Sequence, residues 1–196
     1  MGLSPRIAIV RHAETRWSLT GQHTSTTDLP LTRDGRAKAA AIRGVLDPNR
    51  FACVFTSPLQ RARQTSELAG FGGRAEVRVE LSEWDYGDYE GLTSAEIRRR
   101  AAAWSLWTDG APGGEVPEQV SDRVDRLIAD VRAIEGDVAL FSHGHLSRCL
   151  AARWIDLPVA AGQSFLLATA AISVLGWDRG TPVIERWNDD NHVRRT

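Results

Sequence analysis

Residues 7–15 decide the fold of this chain: Ile7-Ala8-Ile9-Val10-Arg11-His12-Ala13-Glu14-Thr15. The apolar run from Ile7 to Val10 is typical of a strand that lies buried on both faces of a parallel sheet. Arg11 and His12 follow directly, at the carboxyl end of that strand, where open α/β sheets bind their ligands. A cation beside an imidazole at this edge makes His12 a candidate nucleophile for phosphoryl transfer. A strand end followed by a polar turn explains the same residues, so the hypothesis needs partners elsewhere in the chain.

Length and composition are those of an ordinary globular protein. The 196 residues fit one domain spanning 1–196, and a formal net charge of −1 argues against a nucleic-acid partner. No apolar run approaches the roughly 18 residues that cross a membrane, and the first residues show no signal-peptide pattern. Cys53 and Cys149 lie in apolar segments and are expected to be reduced core residues, which favours a cytoplasmic location. The sequence leaves a homodimer open.

Strand-like apolar runs alternate with helical patterns along the chain. This alternation predicts an α/β fold, a three-layer α/β/α sandwich with a mostly parallel central sheet. Thr32 and Ser57 have the residue type and the position of helix N-caps, and residues 109–114 are expected to form a loop. The predicted strands are 7–10, 52–56, 77–81, 138–141, 172–177 and 183–187. The predicted helices are 32–46, 57–68, 93–107, 118–134, and one that follows residues 142–145 and runs to 155.

Cationic or imidazole side chains follow three of the predicted strands. They are Arg11 with His12, Arg61 in a Ser-Pro-x-x-Arg-x-x-Gln-Thr segment, and His143 in a Ser-His-Gly-His segment. If the three strands are parallel neighbours, all three junctions open at the same edge of the sheet. Positive donors gathered there would suit a phosphoryl group, whose negative charge is spread over three equatorial oxygens. Singly, Arg61 could be a surface charge and the segment around His143 a capped turn, but their coincidence favours a phosphate site.

These motifs resemble those of the histidine phosphatase superfamily, also called the phosphoglycerate mutase-like family. The likeness covers nearly the whole chain, because the Arg-His-x-Glu-Thr start, the segment from Ser57 and the turn from Ser142 occur in the family's order. The segment 81–91 resembles the part of the family that carries an acid. No trio of His, Cys and Asp has metal-ligand spacing, so neither a metal nor another cofactor is expected.

The resemblance implies a role for each matching residue. His12 would be the nucleophile that becomes phosphohistidine, with its other ring N–H held by a backbone carbonyl. Glu83 would protonate the departing alkoxide and then activate the hydrolytic water, which favours activity at acidic pH. Arg11, Arg61 and His143 would form the phosphate pocket. The substrate contacts implied or expected nearby are Ser18, Gln22, Thr24, Ser25, Tyr86 and Gly144.

Other carboxylates compete with Glu83 for the role of the acid. Asp85, Asp88 and Glu90 lie in the same segment, and they are more typical of solvated loop residues. Glu14 is expected to serve structure and charge balance near the Arg-His pair. None of these residues is therefore assigned to proton transfer.

Two positions depart from the usual pattern of the family. Ala13 stands beside His12 where glycine is common, and its methyl group is tolerated if its φ is negative. Ser25 also occupies a place that glycine often holds.

The remaining histidines and tryptophans admit both structural and functional interpretations. His23 is expected to border the mouth of the pocket, His145 to lie near the site, and His192 to be solvated. Four tryptophans could wall a sugar-sized pocket, and core packing is the expected alternative for at least half of them. They are Trp17, Trp84, Trp104 and Trp107.

Three functions are consistent with the motifs. A short chain with His145 after the second His-Gly resembles the phosphatases of the family more than its mutases, so hydrolysis of a small phosphorylated sugar or related metabolite is predicted. Phosphoglycerate mutase-type transfer is the alternative within the family. A binding module without activity is the third, and it is disfavoured because such a protein need not retain both His12 and Glu83.

Overall fold

A six-stranded sheet lies at the centre of the computed structural model, which describes residues 5–194. Its strands are β1 (Ile7–Arg11), β2 (Cys53–Thr56), β3 (Ala75–Val77), β4 (Val138–Ser142), β5 (Ile172–Asp178) and β6 (Thr181–Asp189). In space they are ordered β3-β2-β4-β1-β5-β6. The first four pair in parallel, while β5 and β6 are antiparallel. The predicted mostly parallel α/β sheet is therefore confirmed.

Helices cover both faces of the sheet because the side chains of its buried strands alternate between two cores. Ile7 and Ile9 of β1 pack in one core with residues of the helices Pro117–Arg132 and Gly144–Trp154, whereas Ala8 and Val10 pack in the other with residues of the helix Arg33–Ala41. The helices are α1 (Arg16–Thr20), α2 (Arg33–Ala41), α3 (Gln60–Ser66), α4 (Ser94–Arg100), α5 (Leu106–Asp109), α6 (Pro117–Arg132), α7 (Gly144–Trp154) and α8 (Asn191–Arg194). Among the described residues, none of these helices is long and apolar enough to cross a membrane.

The register of the parallel strands brings three junctions together. Arg11 of β1 lies opposite Ser142 of β4, and Thr56 of β2 lies opposite Phe141 of β4. The chain therefore leaves β1, β2 and β4 at neighbouring points of one sheet edge. The expectation that the three motifs meet at this edge is confirmed.

The strand predicted over 77–81 is wrong. β3 ends at Val77, and Val79–Leu81 forms a 3₁₀ turn in which Leu81 is buried. The Ser142 hydroxyl donates a hydrogen bond of 2.8 Å to the carbonyl of Leu81. This contact holds the chain across the end of β4, so the following residues reach the edge of the sheet instead of extending it.

The single helix predicted over 93–107 is also wrong. α4 begins after a capping box at Thr93 and ends at Arg100, and a second helix, α5, begins after its own N-cap, Ser105. The indole N–H of Trp104 donates a hydrogen bond of 2.9 Å to the carbonyl of Gly110. Ser105 and this local hydrogen bond therefore interrupt a stretch whose alanines favour a continuous helix.

The starts and ends of two other helices differ from the prediction. Thr32 caps α2 as expected, but α2 ends at Ala41 and continues as the 3₁₀ turn Ile42–Gly44. α3 begins at Gln60, whose N–H donates to the side chain of Asp28 at 2.7 Å, so Ser57 is not its N-cap. Ser57 instead bonds to His143 in the site described below.

Gly35→Ala is expected to lower the free energy of unfolding by about 1–3 kcal/mol or more, because overpacking forces the backbone to shift. A Cβ atom at Gly35 would lie 2.2 Å from the carbonyl oxygen of Glu14, beside the candidate site. Gly44→Ala is the matched control, since a Cβ there meets no atom within 4 Å, and it should leave stability unchanged or slightly raised. Urea unfolding of both variants measures the difference, and equal midpoints would contradict the close approach.

Candidate active site

Residues from β1, three helices and the loops between them line a cleft of about 220 Å³ beside the carboxyl end of β1. Arg11, His12 and Glu83 line it, as do four of the expected substrate contacts. Those four are Ser18, Gln22, Thr24 and Tyr86. Trp17, His23 and His145, each expected at or near the pocket, also line it. Three residues that were not expected there complete the lining: Thr15, Gly21 and Ser94.

The ring of His12 is held as a neutral imidazole with one free nitrogen. Nδ1 lies 2.7 Å from the carbonyl oxygen of Ala13, which can only accept, so Nδ1 carries the proton. Burial, followed by the charges of Arg61 and Arg11, holds the pKa of His12 well below its ordinary value. Nε2 has no hydrogen-bond partner among the described residues. A neutral imidazole with an unshared pair at the cleft is able to act as a nucleophile.

Ala13 fits its place beside His12 without strain. Its methyl group is fully buried, its φ is not positive, and its N–H donates to the Thr65 hydroxyl at 3.0 Å. The Ala13 carbonyl is also the acceptor that fixes the His12 ring. The condition under which alanine was expected to be tolerated is therefore met.

Arg61 and His143 lie fully buried beside His12 and do not line the cleft. Nε of Arg61 donates to Nδ1 of His143 at 3.1 Å, so the proton of His143 is on Nε2, which donates to the Ser57 hydroxyl at 2.7 Å. The rings of His143 and His12 are 5.2 Å apart between centroids. Burial and the charge of Arg61 hold the pKa of His143 well below its ordinary value. His143 is thus a neutral support of the His12 ring with both nitrogens already bonded.

Arg11 presents an unsatisfied donor at the cleft. Of its terminal nitrogens, Nη1 donates to the carbonyl of Leu167. Its Nε is buried without a partner among the described residues. A Cβ on Gly144 would lie 3.3 Å from the guanidinium carbon. Gly144 does not line the cleft, and its closeness to Arg11 shows that it leaves space for that side chain. Nη2 makes no hydrogen bond with a described residue and is not a buried atom, so it is the Arg11 donor suited to an anion in the cleft.

Glu83 is held by backbone N–H groups at the start of α7. Its Oε1 accepts from Trp84 at 2.9 Å and from Leu146 at 2.8 Å, and its Oε2 accepts from His145 at 3.0 Å. These bonds fix the direction of the carboxyl group and occupy two first-turn donors of α7, so these N–H groups are not available to a phosphate. Oε2 makes one of these bonds and so retains the greater capacity to carry a proton.

Glu90 is not a solvated loop carboxylate, contrary to expectation. It accepts from the N–H of Ser25 at 2.8 Å, from the Ser25 hydroxyl at 2.6 Å and from the N–H of Thr27 at 2.9 Å. Arg61 binds the opposite side of the same loop, because it donates to the carbonyls of Thr24, Ser25 and Thr27. The loop 24–27 is therefore held between a carboxylate and a guanidinium. The N–H, hydroxyl and carbonyl of Ser25 all bond to Glu90 or Arg61, and Ser25 does not line the cleft.

Glu14 balances a different charge from the one expected. Its carboxylate binds Nζ of Lys38 at 2.7 Å and the Thr32 hydroxyl at 2.7 Å, and no contact with Arg11 is recorded among the described residues. These bonds lower the pKa of Glu14, with Lys38 as the main cause. Glu14 therefore ties the segment after His12 to the start of α2.

The aromatic and histidine side chains divide between the core and the cleft. Of the four tryptophans, Trp17 lines the cleft, whereas Trp84, Trp104 and Trp107 belong to the core. His192 is partly buried and bonds to the carbonyl of Ala170 at 3.1 Å, so it is not simply solvated. Within residues 5–194, no group of three or more His, Cys, Asp or Glu side chains is arranged to hold a metal ion.

Comparisons with known proteins agree with this arrangement. The model of the histidine phosphatase superfamily (branch 1) matches residues 7–190. An acid phosphatase of Mycobacterium tuberculosis is 42% identical over 185 residues, covering 89% of this chain and 88% of that protein. A sedoheptulose 1,7-bisphosphatase of Saccharomyces cerevisiae is 39% identical over 189 residues, covering 80% and 70%. The solved structure of an open-reading-frame product from Mycobacterium tuberculosis has a TM-score of 0.88 at 38% identity, covering 94% and 97%. The chain belongs to the histidine phosphatase superfamily and is an enzyme of the phosphatase type.

Proposed function

We propose that this phosphatase hydrolyses phosphomonoesters through a phosphohistidine formed at Nε2 of His12. The observation that carries the proposal is the state of this ring in the cleft, with Nδ1–H bonded to the Ala13 carbonyl and Nε2 free. Arg11 and Glu83 line the same cleft and supply the cation and the acid that such a reaction needs.

In the first step the unshared pair of Nε2 attacks phosphorus as the ester P–O bond breaks. The electron pair of that bond goes to the leaving oxygen, which takes a proton from Oε2 of Glu83. In the second step water attacks phosphorus and gives its proton back to Glu83. The N–P bond then breaks, its electron pair returns to Nε2, and His12 is again a neutral imidazole.

The arginines stabilise the charge of the phosphoryl group in different ways. Arg11 lines the cleft, and its Nη2 makes no hydrogen bond with a described residue and is not buried, so it is suited to bond an equatorial oxygen directly. Arg61 spends most of its donors on the loop 24–27 and on His143, and it contributes mainly its positive charge. A hydrogen-bond donor that contacts the reacting group, as expected for Arg11, typically stabilises the transition state by about 2.7–4 kcal/mol.

The substrate class follows from the size of the site and from the relatives. We infer a small phosphorylated sugar or related metabolite, because a cleft of about 220 Å³ holds a compact molecule and one relative is named for a sugar bisphosphate.

The two free thiols, Cys53 and Cys149, support a cytoplasmic location for this activity.

Hydrolysis of p-nitrophenyl phosphate in the presence of EDTA tests the proposal. Activity that resists EDTA and releases inorganic phosphate is the expected result. Isomerisation of phosphoglycerate with little release of phosphate would show a mutase instead. Tight binding of phosphate esters without turnover would show a binding module.

The imidazole of His12 is expected to stay neutral as the pH falls from about 8 to 5. Burial and two guanidinium groups lower its pKa, and a lowered pKa means that the neutral form persists to more acidic pH. NMR titration of the histidine ring signals measures this, with those of His12 assigned by their loss in His12→Ala. A midpoint near 6.5 for His12 would contradict the environment described here.

Glu90→Gln is expected to lower kcat/KM by about 10- to 100-fold, because charged hydrogen bonds to the loop 24–27 are worth roughly 1.5–3 kcal/mol. The loss should appear mainly in KM, since the loop carries Thr24 at the cleft. Asp88→Asn is the matched control, because Asp88 is an exposed carboxylate of the same segment. Equal kinetics for the two variants would remove the role assigned to Glu90.

A further inference from the structure

Three side chains that line the cleft form a connected group, here called the recognition cluster: His23, Tyr86 and His145. The Tyr86 hydroxyl lies 2.6 Å from Nδ1 of His145. The ring of His23 packs on the ring of Tyr86 with centroids 4.6 Å apart, and its Nε2 lies 3.3 Å from the Ser94 hydroxyl. These contacts fix the orientation of all three rings before any ligand binds.

Each imidazole of the recognition cluster has one ring nitrogen that no described residue uses. In His145, Nδ1 bonds to Tyr86 and Nε2 has no partner among the described residues. In His23, Nε2 bonds to Ser94 and Nδ1 has no such partner. Neither remaining nitrogen is a buried atom left without a partner. The nitrogens are therefore accessible at the cleft, where each can donate to or accept from a hydroxyl group.

The recognition cluster is uncharged at neutral pH. Burial lowers the pKa of His23 to about 4, and burial followed by the charge of Arg148 holds the pKa of His145 well below its ordinary value. The Tyr86 phenol also stays neutral, because burial raises its pKa. A ligand group beside these rings meets neutral dipoles and aromatic faces.

The other charges at the cleft already have partners in the proposed reaction. Arg11 is the one arginine or lysine among the described residues that line it, and Glu83 is the one carboxylate. Arg11 would bind the phosphoryl group, so no lining cation is left for a second anion of the substrate. A carboxylate in the leaving group would be desolvated beside Glu83 without a countercharge, which is costly.

We propose that the recognition cluster selects leaving groups whose first carbons carry hydroxyl groups and discriminates against those that carry a carboxylate there. The inference rests on the proposed function and narrows its substrate class. It concerns the atoms near the ester oxygen, and a charge farther along a longer substrate would lie outside the cleft. His23, Tyr86 and His145 act in it as specificity-determining residues.

Glycerol 3-phosphate and 3-phosphoglycerate test the inference, because they share the ester and differ by a hydroxymethyl group against a carboxylate. The wild-type enzyme should hydrolyse glycerol 3-phosphate with a kcat/KM at least about tenfold higher. His145→Lys should reduce that ratio at least about threefold by adding a cation at the cleft. His192→Lys is the matched control, since it adds the same charge away from the cleft, and it should leave the ratio unchanged. Thermal unfolding confirms that each variant is folded.

A second substitution tests the hydrogen bonding separately from charge. Tyr86→Phe removes the hydroxyl that orients His145, so it should lower kcat/KM for glycerol 3-phosphate more than for p-nitrophenyl phosphate, whose aromatic leaving group carries no hydroxyl. Equal losses for the two esters would contradict an orienting role.

The outcomes separate the inference from the function on which it rests. Hydrolysis of p-nitrophenyl phosphate with equal kcat/KM for the two three-carbon esters, or with a preference for 3-phosphoglycerate, would overturn the inference and leave the proposed function standing. Hydrolysis of p-nitrophenyl phosphate with no hydrolysis of glycerol 3-phosphate would also overturn the inference and leave the proposed function standing. If the wild-type enzyme hydrolyses none of these esters, both the inference and the proposed function are overturned.

Discussion

His12→Ala is expected to lower kcat/KM for every phosphomonoester by at least about 10⁴-fold, because it removes the atom that would accept the phosphoryl group. Binding of inorganic phosphate should be retained, since Arg11 and Arg61 are unchanged. The ring of His12 is buried but makes a single hydrogen bond, to the Ala13 carbonyl, so the variant is expected to fold. Steady-state kinetics beside a phosphate-binding measurement separates the loss of chemistry from a loss of structure.

His192→Ala is the matched control for this substitution. It removes a partly buried imidazole that also bonds to a backbone carbonyl, that of Ala170, but lies outside the cleft. Its kcat/KM should stay within about twofold of the wild type, as for substitutions away from functional features. Residual activity of His12→Ala above one hundredth of the wild type would rule out His12 as the nucleophile.

Glu83→Gln is expected to lower kcat/KM by roughly 10²- to 10⁴-fold for esters of alkyl alcohols and by less than about tenfold for p-nitrophenyl phosphate. An alkoxide needs a proton as it departs, whereas p-nitrophenolate is a stable anion without one. The ratio kcat/KM is the right quantity, because it reports the steps up to departure of the leaving group and not the later hydrolysis of phosphohistidine. The two substrates therefore isolate proton donation by Glu83.

Asp85→Asn controls for the loss of a carboxylate in the same segment. Asp85 accepts from the N–H of Gly87 at 3.0 Å, which asparagine can also do, and it does not line the cleft. Its kinetics should stay close to those of the wild type for both esters. A similar loss for the two esters in Glu83→Gln would indicate a structural role through the N–H bonds of α7 instead of acid catalysis.

The central strand and its functional residues could be predicted because their signals are local. The apolar run of β1 and the cap at Thr32 each specify their element without distant contacts. Parallel order then fixes where the strands end, so the meeting of Arg11, Arg61 and His143 follows from topology alone.

One error occurs where a distant contact overrides a local preference, and the other where a local cap interrupts a helix. Val77 and Val79 favour a strand, yet the chain turns between them because the Leu81 carbonyl is bound by Ser142, 61 residues away. The alanines after Arg100 favour a helix, which the cap at Ser105 interrupts. Tertiary context commonly decides such segments against propensity.

The pairings within the site could not be predicted, because they are long-range hydrogen bonds. Glu90 binds Ser25 across 65 positions, and Tyr86 meets His145 across 59 positions. No residue pattern marks such pairs, because either partner alone is an ordinary polar residue of a loop or a helix start. Ser25, Tyr86 and His145 were each expected near the substrate as single residues, but nothing in the sequence paired them with their partners.

Direct detection of the phosphoenzyme tests the central claim most closely. The enzyme is mixed with a phosphomonoester, quenched in alkali within the first turnover, digested and mapped by mass spectrometry. We expect one phosphoryl group per chain on His12, stable in alkali and lost in acid, and absent from His12→Ala. A phosphoryl group on another residue would contradict the proposed mechanism. A burst of leaving-group release during which no phosphoenzyme is found would also contradict it.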